Sequence, residues 1–166
     1  MSFNIFRHIP KRGKKLYNTT IARGGFHIFY PSNTLTAFKY AVDAKLAISI
    51  GVRRTKDGKL ICFRNRYTRK VLGIPGRISL ISYETLQGMT LDNSNEKIAL
   101  LKDALKIIDG KVPVLLEIRG KVKKEYLLEL ENVIREYNGK VYFETKLKIL
   151  NQQKICRNWY IQKFKS

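Results

Sequence analysis

Residues 47–65 read AISIGVRRTKDGKLICFRN. The opening residues are apolar and β-branched, which predicts a strand over 46–52. Asp57-Gly58 then marks a tight reversal, because glycine accepts the positive φ of a hairpin turn. A second strand is predicted at 59–64. These two strands connect more directly than a strict alternation of strand and helix would have them.

Further strands are predicted at 19–23, 112–118, 140–144 and 158–162. Between the first two strands, Leu35, Phe38, Ala41 and Val42 share one helical face, and Ser32-Asn33-Thr34 offers caps for its start. A second helix is predicted over 98–109, with Ile98, Leu101, Leu105 and Ile108 in register. A third spans 123–138, with Leu127, Leu130, Ile134 and Tyr137 in register and Gly139 as its stop signal. Alternating β and α units imply a parallel sheet whose functional loops follow the strand carboxyl ends. The sequence shows no internal repeat, low-complexity tract or second domain.

The chain has 166 residues, 44% of them hydrophobic, and a formal charge of +20. That apolar content excludes a disordered tail. The charge is uneven: residues 1–80 hold 17 Lys/Arg against Asp43 and Asp57, a net of +15, and the remainder nets +5. Such a field attracts nucleic acid, an anionic polymer or an acidic membrane surface. The competing reading is a surface charged for solubility alone. No apolar run is long enough to span a bilayer, and no signal-peptide core is evident. Residues 1–18 read as a basic arm in which Pro10 and Gly13 oppose a regular amphipathic helix, leaving 19–166 as the folded domain. Cys62 and Cys156 lack metal-ligand spacing and read as reduced core thiols, which points to a cytoplasmic protein, with peripheral membrane attachment left open by the arm.

Residues 21–34, IARGGFHIFYPSNT, place an arginine and two glycines at the end of the first strand. Glycines admit close approach of backbone to a ligand, and a guanidinium suits an oxyanion. Phe26, Phe29 and Tyr30 suit either stacking on a ligand or packing beneath loops, the second being the commoner use. Trp159 and Tyr160 read as core or interface.

IARGG, PSNTLTAFKYA, AISIGVRRTKDGKLICFRN, GRISLISYETL and PVLLEIR, in this order and spacing, resemble the glycerophosphodiester phosphodiesterase family from about residue 21 to residue 120, and more weakly to about 145. The resemblance implies a TIM-type barrel. It also implies an activity in active members: cleavage of a glycerophosphodiester to glycerol 3-phosphate and an alcohol, with one divalent metal and two histidines. Two carboxylates spaced i, i+2 on a strand would share the metal, and imidazoles would exchange protons near neutral pH.

At the corresponding positions this chain departs from the pattern. The first histidine position is Arg23, followed by Gly24; the acid of the proline turn is Ser32. The metal pair is Ser49 and Gly51. The second histidine is Arg64, followed by Asn65. Glu117 alone survives as a potential ligand, with Arg119 in place of the family's lysine. A guanidinium stays protonated at any working pH, so neither Arg23 nor Arg64 can act as base or acid. The expectation is a pseudoenzyme without its divalent metal, in which Arg23, Arg64 and Arg119, with Arg53 or Arg66, hold a phosphate-bearing anion. Glu117 is expected to pair with one of the arginines.

Two other readings stand beside it. One is a residual phosphoric diester hydrolase using Glu117 and His27. The other is an interaction or inhibitor module. A complete barrel takes roughly 250 residues, and only six strands are found here. An incomplete barrel is therefore expected, closed by a homo-oligomer or a partner subunit.

Overall fold

The computed structural model of the protein describes residues 20–91 and 94–144, and the backbone of 159–162. The basic arm, Cys156 and the side chains of Trp159 and Tyr160 lie outside the described residues.

Five strands form a parallel sheet in the order β1 (Ile21–Arg23), β2 (Ala47–Arg54), β4 (Val114–Ile118), β5 (Val141–Glu144) and β6 (Trp159–Gln162). The hairpin strand β3 (Leu60–Cys62) runs antiparallel to the end of β2. Gly58 sits in the turn at φ 87°, and Thr55 N–H donates to the Lys59 carbonyl at 3.0 Å. The direct connection anticipated at Asp57-Gly58 is thus present. The fold class is a partial TIM-type barrel, with β1 and β6 as outer strands of the described sheet.

Alternation along the strands gives the sheet two unlike faces. Ile48, Ile50 and Val52 of β2, with Val114, Leu116 and Ile118 of β4, point to the side covered by α1 (Leu35–Asp43), α4 (Leu101–Ile108) and α5 (Lys124–Arg135). There they form the main core with Phe38, Leu105 and Leu130. The opposite face is the barrel interior. Its lower layer is apolar, made of Ile21, Ala47, Leu115 and Tyr142. One step nearer the carboxyl ends the same face becomes polar, through Arg23, Ser49, Gly51 and Glu117. That change of layer positions the site.

The helix starts follow their caps. Thr34 is extended (φ −103°, ψ 158°), and its hydroxyl accepts from Ala37 N–H at 3.2 Å, starting α1. α4 begins at Leu101 rather than at 98, because residues 98–100 remain extended along β3: Cys62 N–H donates to the Ala99 carbonyl at 2.8 Å. Ile98 accordingly joins a smaller cluster with Ile61, Phe63, Ile78 and Leu86 instead of the helical face predicted for it. α5 covers 124–135, shorter at both ends than 123–138, and stops before Gly139. Two short helices in the connection after β3, α2 (Arg69–Leu72) and α3 (Tyr83–Gln87), carry too few turns to leave a periodic apolar pattern.

Candidate anion site at the sheet's carboxyl end

Strand register brings the sequence-predicted positions together. Arg23 on β1 pairs with Ser49 on β2, and Gly51 pairs with Glu117 on β4. Beyond β1 the chain turns sharply through Gly24 and Gly25. Gly25 has φ 85°, and a Cβ there would lie 2.6 Å from the Ala37 backbone, so the turn packs directly on α1. The proline turn is tied back to β2 by Asn33. Its Oδ1 accepts the Gly51 N–H at 2.9 Å, and its own N–H donates to the Gly24 carbonyl at 2.7 Å.

Arg23, His27, Ser49, Gly51, Arg64 and Glu117 line one cavity of about 270 Å³. Glu117 is nearly inaccessible, and its carboxylate is engaged on every side. Ser49 Oγ donates to Oε1 at 3.0 Å, Arg64 lies 3.4 Å from Oε1 and 3.2 Å from Oε2, and Arg119 donates to Oε2. Two guanidinium groups, those of Arg64 and Arg119, thus hold one carboxylate, and Arg23 lines the same cavity as Glu117. Arg23 Nε is buried without an acceptor among the described residues, as is Arg119 Nε. His27 Nδ1 sits 3.3 Å from the Gly25 carbonyl.

Gly51 is more than a position that lacks a carboxylate. A Cβ added there would meet Cα and Cβ of Arg64 at 2.9 Å. The β3 end lies directly against β2, held by the Phe63 N–H donating to the Gly51 carbonyl at 2.7 Å.

Not every arginine named from the sequence faces this cavity. Arg53 donates through Nε to the Arg64 carbonyl at 3.0 Å, but it lines a separate cavity together with Arg66. Arg119 reaches Glu117 without lining the smaller pocket. Phe29 is 80% exposed, Tyr30 stacks on Tyr40 with ring centroids 4.9 Å apart, and Phe26 packs against the main core. Sequence reasoning missed two contributors. Asn33 was read as a cap candidate, although its buried amide anchors β2. Glu144 stands in register beside Glu117 on β5, a neighbour that only the sheet order reveals. Cys62 is buried, and burial pushes its thiol pKa up, as expected of a core thiol.

Among the described residues, no group of three or more His, Cys, Asp and Glu side chains could hold a metal ion. No helix among them is long and apolar enough to cross a membrane.

Comparison with known proteins agrees with this fold. Residues 23–165 match the model of the Glycerophosphoryl diester phosphodiesterase family. A glycerophosphodiester phosphodiesterase of Bacillus altitudinis is 26% identical over 125 residues, covering 71% of this chain and 47% of the relative. The chain therefore spans about half the length of that curated relative. An Oleispira antarctica phosphodiesterase, solved in complex with the product sn-glycerol-3-phosphate, superposes with a TM-score of 0.77 at 17% identity, covering 86% of this chain and 64% of the other. A Thermotoga maritima glycerophosphodiester phosphodiesterase gives 0.70 at 18% identity, over 86% and 60% of the two chains. At these identities the likeness to solved structures is one of fold.

Proposed function

We propose that this chain, which belongs to the glycerophosphoryl diester phosphodiesterase family, is a catalytically inactive member that holds a phosphate-bearing anion between Arg23 and Arg64. The observation that carries the reading is the engagement of Glu117 by Arg64. The guanidinium at a position where the family's chemistry needs an imidazole also occupies the carboxylate that would serve a metal.

The donor set does not fit a divalent cation. Glu117 has Arg64 and Arg119 on its oxygens, Ser49 is a weak neutral ligand, and Gly51 has no side chain. Hard cations take several oxygen ligands, with carboxylates supplying the charge. Permanent positive charge beside the site opposes the ion further.

For an anion the same arrangement is favourable. Arg23 at the end of β1 and Arg64 just beyond β3 face one pocket, and charge-assisted N–H···O bonds to phosphate are about twice as strong as neutral ones. Arg64 has the geometry of a clamp that is closed on Glu117, so a bound phosphate competes with that carboxylate for its N–H groups.

Two measurements on the full chain test the reading. Glycerophosphocholine incubated with Mg²⁺ or Ca²⁺ should release no glycerol 3-phosphate above a heat-inactivated control. Orthophosphate should bind saturably, and Arg64→Gln should weaken it by roughly tenfold. Metal-dependent release that disappears in Glu117→Ala and His27→Ala would establish the residual hydrolase instead.

A further inference from the structure

A cavity larger than the Arg23/Arg64 pocket lies beside it and is not part of it. It measures about 590 Å³ and opens where the end of β2, the β2–β3 hairpin, the connection after β3 and the β4–α5 loop meet. Arg53 and Arg54 enter it from β2, Lys56 from the hairpin, Arg66 and Arg77 from the connection, and Lys121 and Lys123 from the β4–α5 loop. Among the described residues seven cations thus line it, and no aspartate or glutamate does. Asp57, the acid on the same hairpin, accepts from the Thr55 hydroxyl at 2.6 Å and from Tyr83 N–H at 2.9 Å.

The walls are built rather than merely charged. Tyr126 is buried and donates its hydroxyl to the Val52 carbonyl at 2.9 Å, fixing the α5 side to the strand. Arg53 is held by its bond to the Arg64 carbonyl, and its pKa is lowered chiefly by burial. Arg54 Nε is buried and has no acceptor among the described residues. Gly120, at φ +98°, brings backbone to the cavity; a Cβ there would stand 3.4 Å from Arg53 Nη1. Like charges gathered in a concavity repel one another, and partial burial of their stems weakens the screening by salt. An anion that carries several charges close together relieves this best.

We propose that this cavity is a second anion site, and that its ligand is a small molecule bearing linked or clustered phosphates. A single phosphate cannot reach cations spread around a cavity of this size, whereas small-molecule sites commonly run from roughly 300 to 1,000 Å³. Guanidinium forks from two strand residues and ammonium groups from two loops suit successive phosphoryl groups along a chain. The site is independent of the Arg23/Arg64 reading: it uses different side chains and holds whether or not the smaller pocket binds phosphate.

The test is calorimetric titration of the full chain with sodium tripolyphosphate and, separately, orthophosphate at fixed ionic strength. Saturable tripolyphosphate binding is expected, with roughly tenfold losses in Arg54→Gln and in Lys121→Gln, while orthophosphate binding, which reads the smaller pocket, changes within about twofold in the same two variants. Thermal unfolding of each variant confirms that the fold is retained. Phosphatidylcholine vesicles with and without a bisphosphorylated headgroup distinguish a membrane source of the same chemistry: sedimentation with the former only, lost in Arg54→Gln, assigns the phosphates to a lipid. Failure of tripolyphosphate to saturate overturns the site. So do unchanged tripolyphosphate affinities in both Arg54→Gln and Lys121→Gln. Tighter binding of a DNA oligonucleotide than of tripolyphosphate, unchanged by Arg54→Gln, overturns it as well and assigns the charge to a polymer-binding surface.

Discussion

Arg64 grips Glu117 with both ends of its guanidinium, at 3.4 Å from Oε1 and 3.2 Å from Oε2, while Arg119 reaches Oε2 from just beyond the end of β4. Two arginines that follow β3 and β4 therefore close over the interior of the sheet, and a buried carboxylate is paired with cations that are themselves partly solvated.

Neutralising that carboxylate has two opposite consequences. Glu117→Gln removes the charged acceptor for Arg64 and Arg119, and stability should fall by about 1–3 kcal/mol in urea denaturation. The arginines that remain can swing toward solvent, which keeps the loss below that for a fully enclosed pair. The same change removes the internal competitor for Arg64, so orthophosphate should bind severalfold more tightly. Weaker phosphate binding in Glu117→Gln would contradict the clamp arrangement.

Gly51 yields a second expectation. Its Cβ would collide with Arg64 Cα at 2.9 Å and press on Arg64 N at 3.2 Å. Gly51→Ala should cost about 1–3 kcal/mol through overpacking, and Gly51→Asp at least as much. Because the collision includes backbone, Arg64→Gly should recover little of the loss in the double variant. Full recovery by Arg64→Gly would show that only the side chain stands in the way. Thermal unfolding of the two single variants and the double variant decides it.

The turn that carries Arg23 depends on Asn33, which is buried at φ 66°. Asn33→Ala loses the acceptor for Gly51 N–H and puts a Cβ residue with no local hydrogen bond in the left-handed region. Asn33→Gly loses only the acceptor. The expected order of stability is wild type, then Asn33→Gly, then Asn33→Ala, with the alanine variant down by about 2–3 kcal/mol. Equal midpoints for glycine and alanine would remove the conformational part of the argument.

Much of this was readable from residue order because the signals are local. Asp57-Gly58 requires a reversal, Thr34 caps α1, and apolar alternation in β2 marks a strand with one face in the core. The positions around Glu117 were readable through motif order, since parallel register then places the ends of β1, β2 and β4 side by side. Non-local effects were not readable. Ile98 carries a helical spacing, yet β3 needs hydrogen-bond partners on its outer side, and residues 98–100 supply them by staying extended. Arg53 and Arg64 are separated by one hairpin and looked like members of one clamp. The hairpin instead directs Arg53 toward Arg66 and Arg77, into the larger cavity. Sequence spacing gives the residue count of a loop but not the side to which it folds.

Alkaline pH provides the last test, and it concerns the core rather than the site. Burial pushes up the pKa of the Cys62 thiol and of the Tyr126 hydroxyl, and it raises Tyr137 to about 12 from an ordinary value of 10.0. For each group the folded state retains its proton at a pH where the unfolded chain has released it. The folded state then binds more protons than the unfolded one, so stability falls as pH rises. Below the unfolded values the contribution is complete; the decline should run from roughly pH 9 to pH 12. Lysine deprotonation relieves repulsion over the same range, so the total slope mixes two effects. Tyr137→Phe separates them. Losing the hydroxyl deprives Gly110 N–H of its acceptor at 3.1 Å, a cost that does not vary until the hydroxyl titrates. The gap between wild type and variant should therefore be constant near neutrality and narrow above roughly pH 10. Denaturant midpoints measured for both proteins across that range would show the narrowing, and a gap that widens with pH would contradict a half-buried, proton-retaining Tyr137.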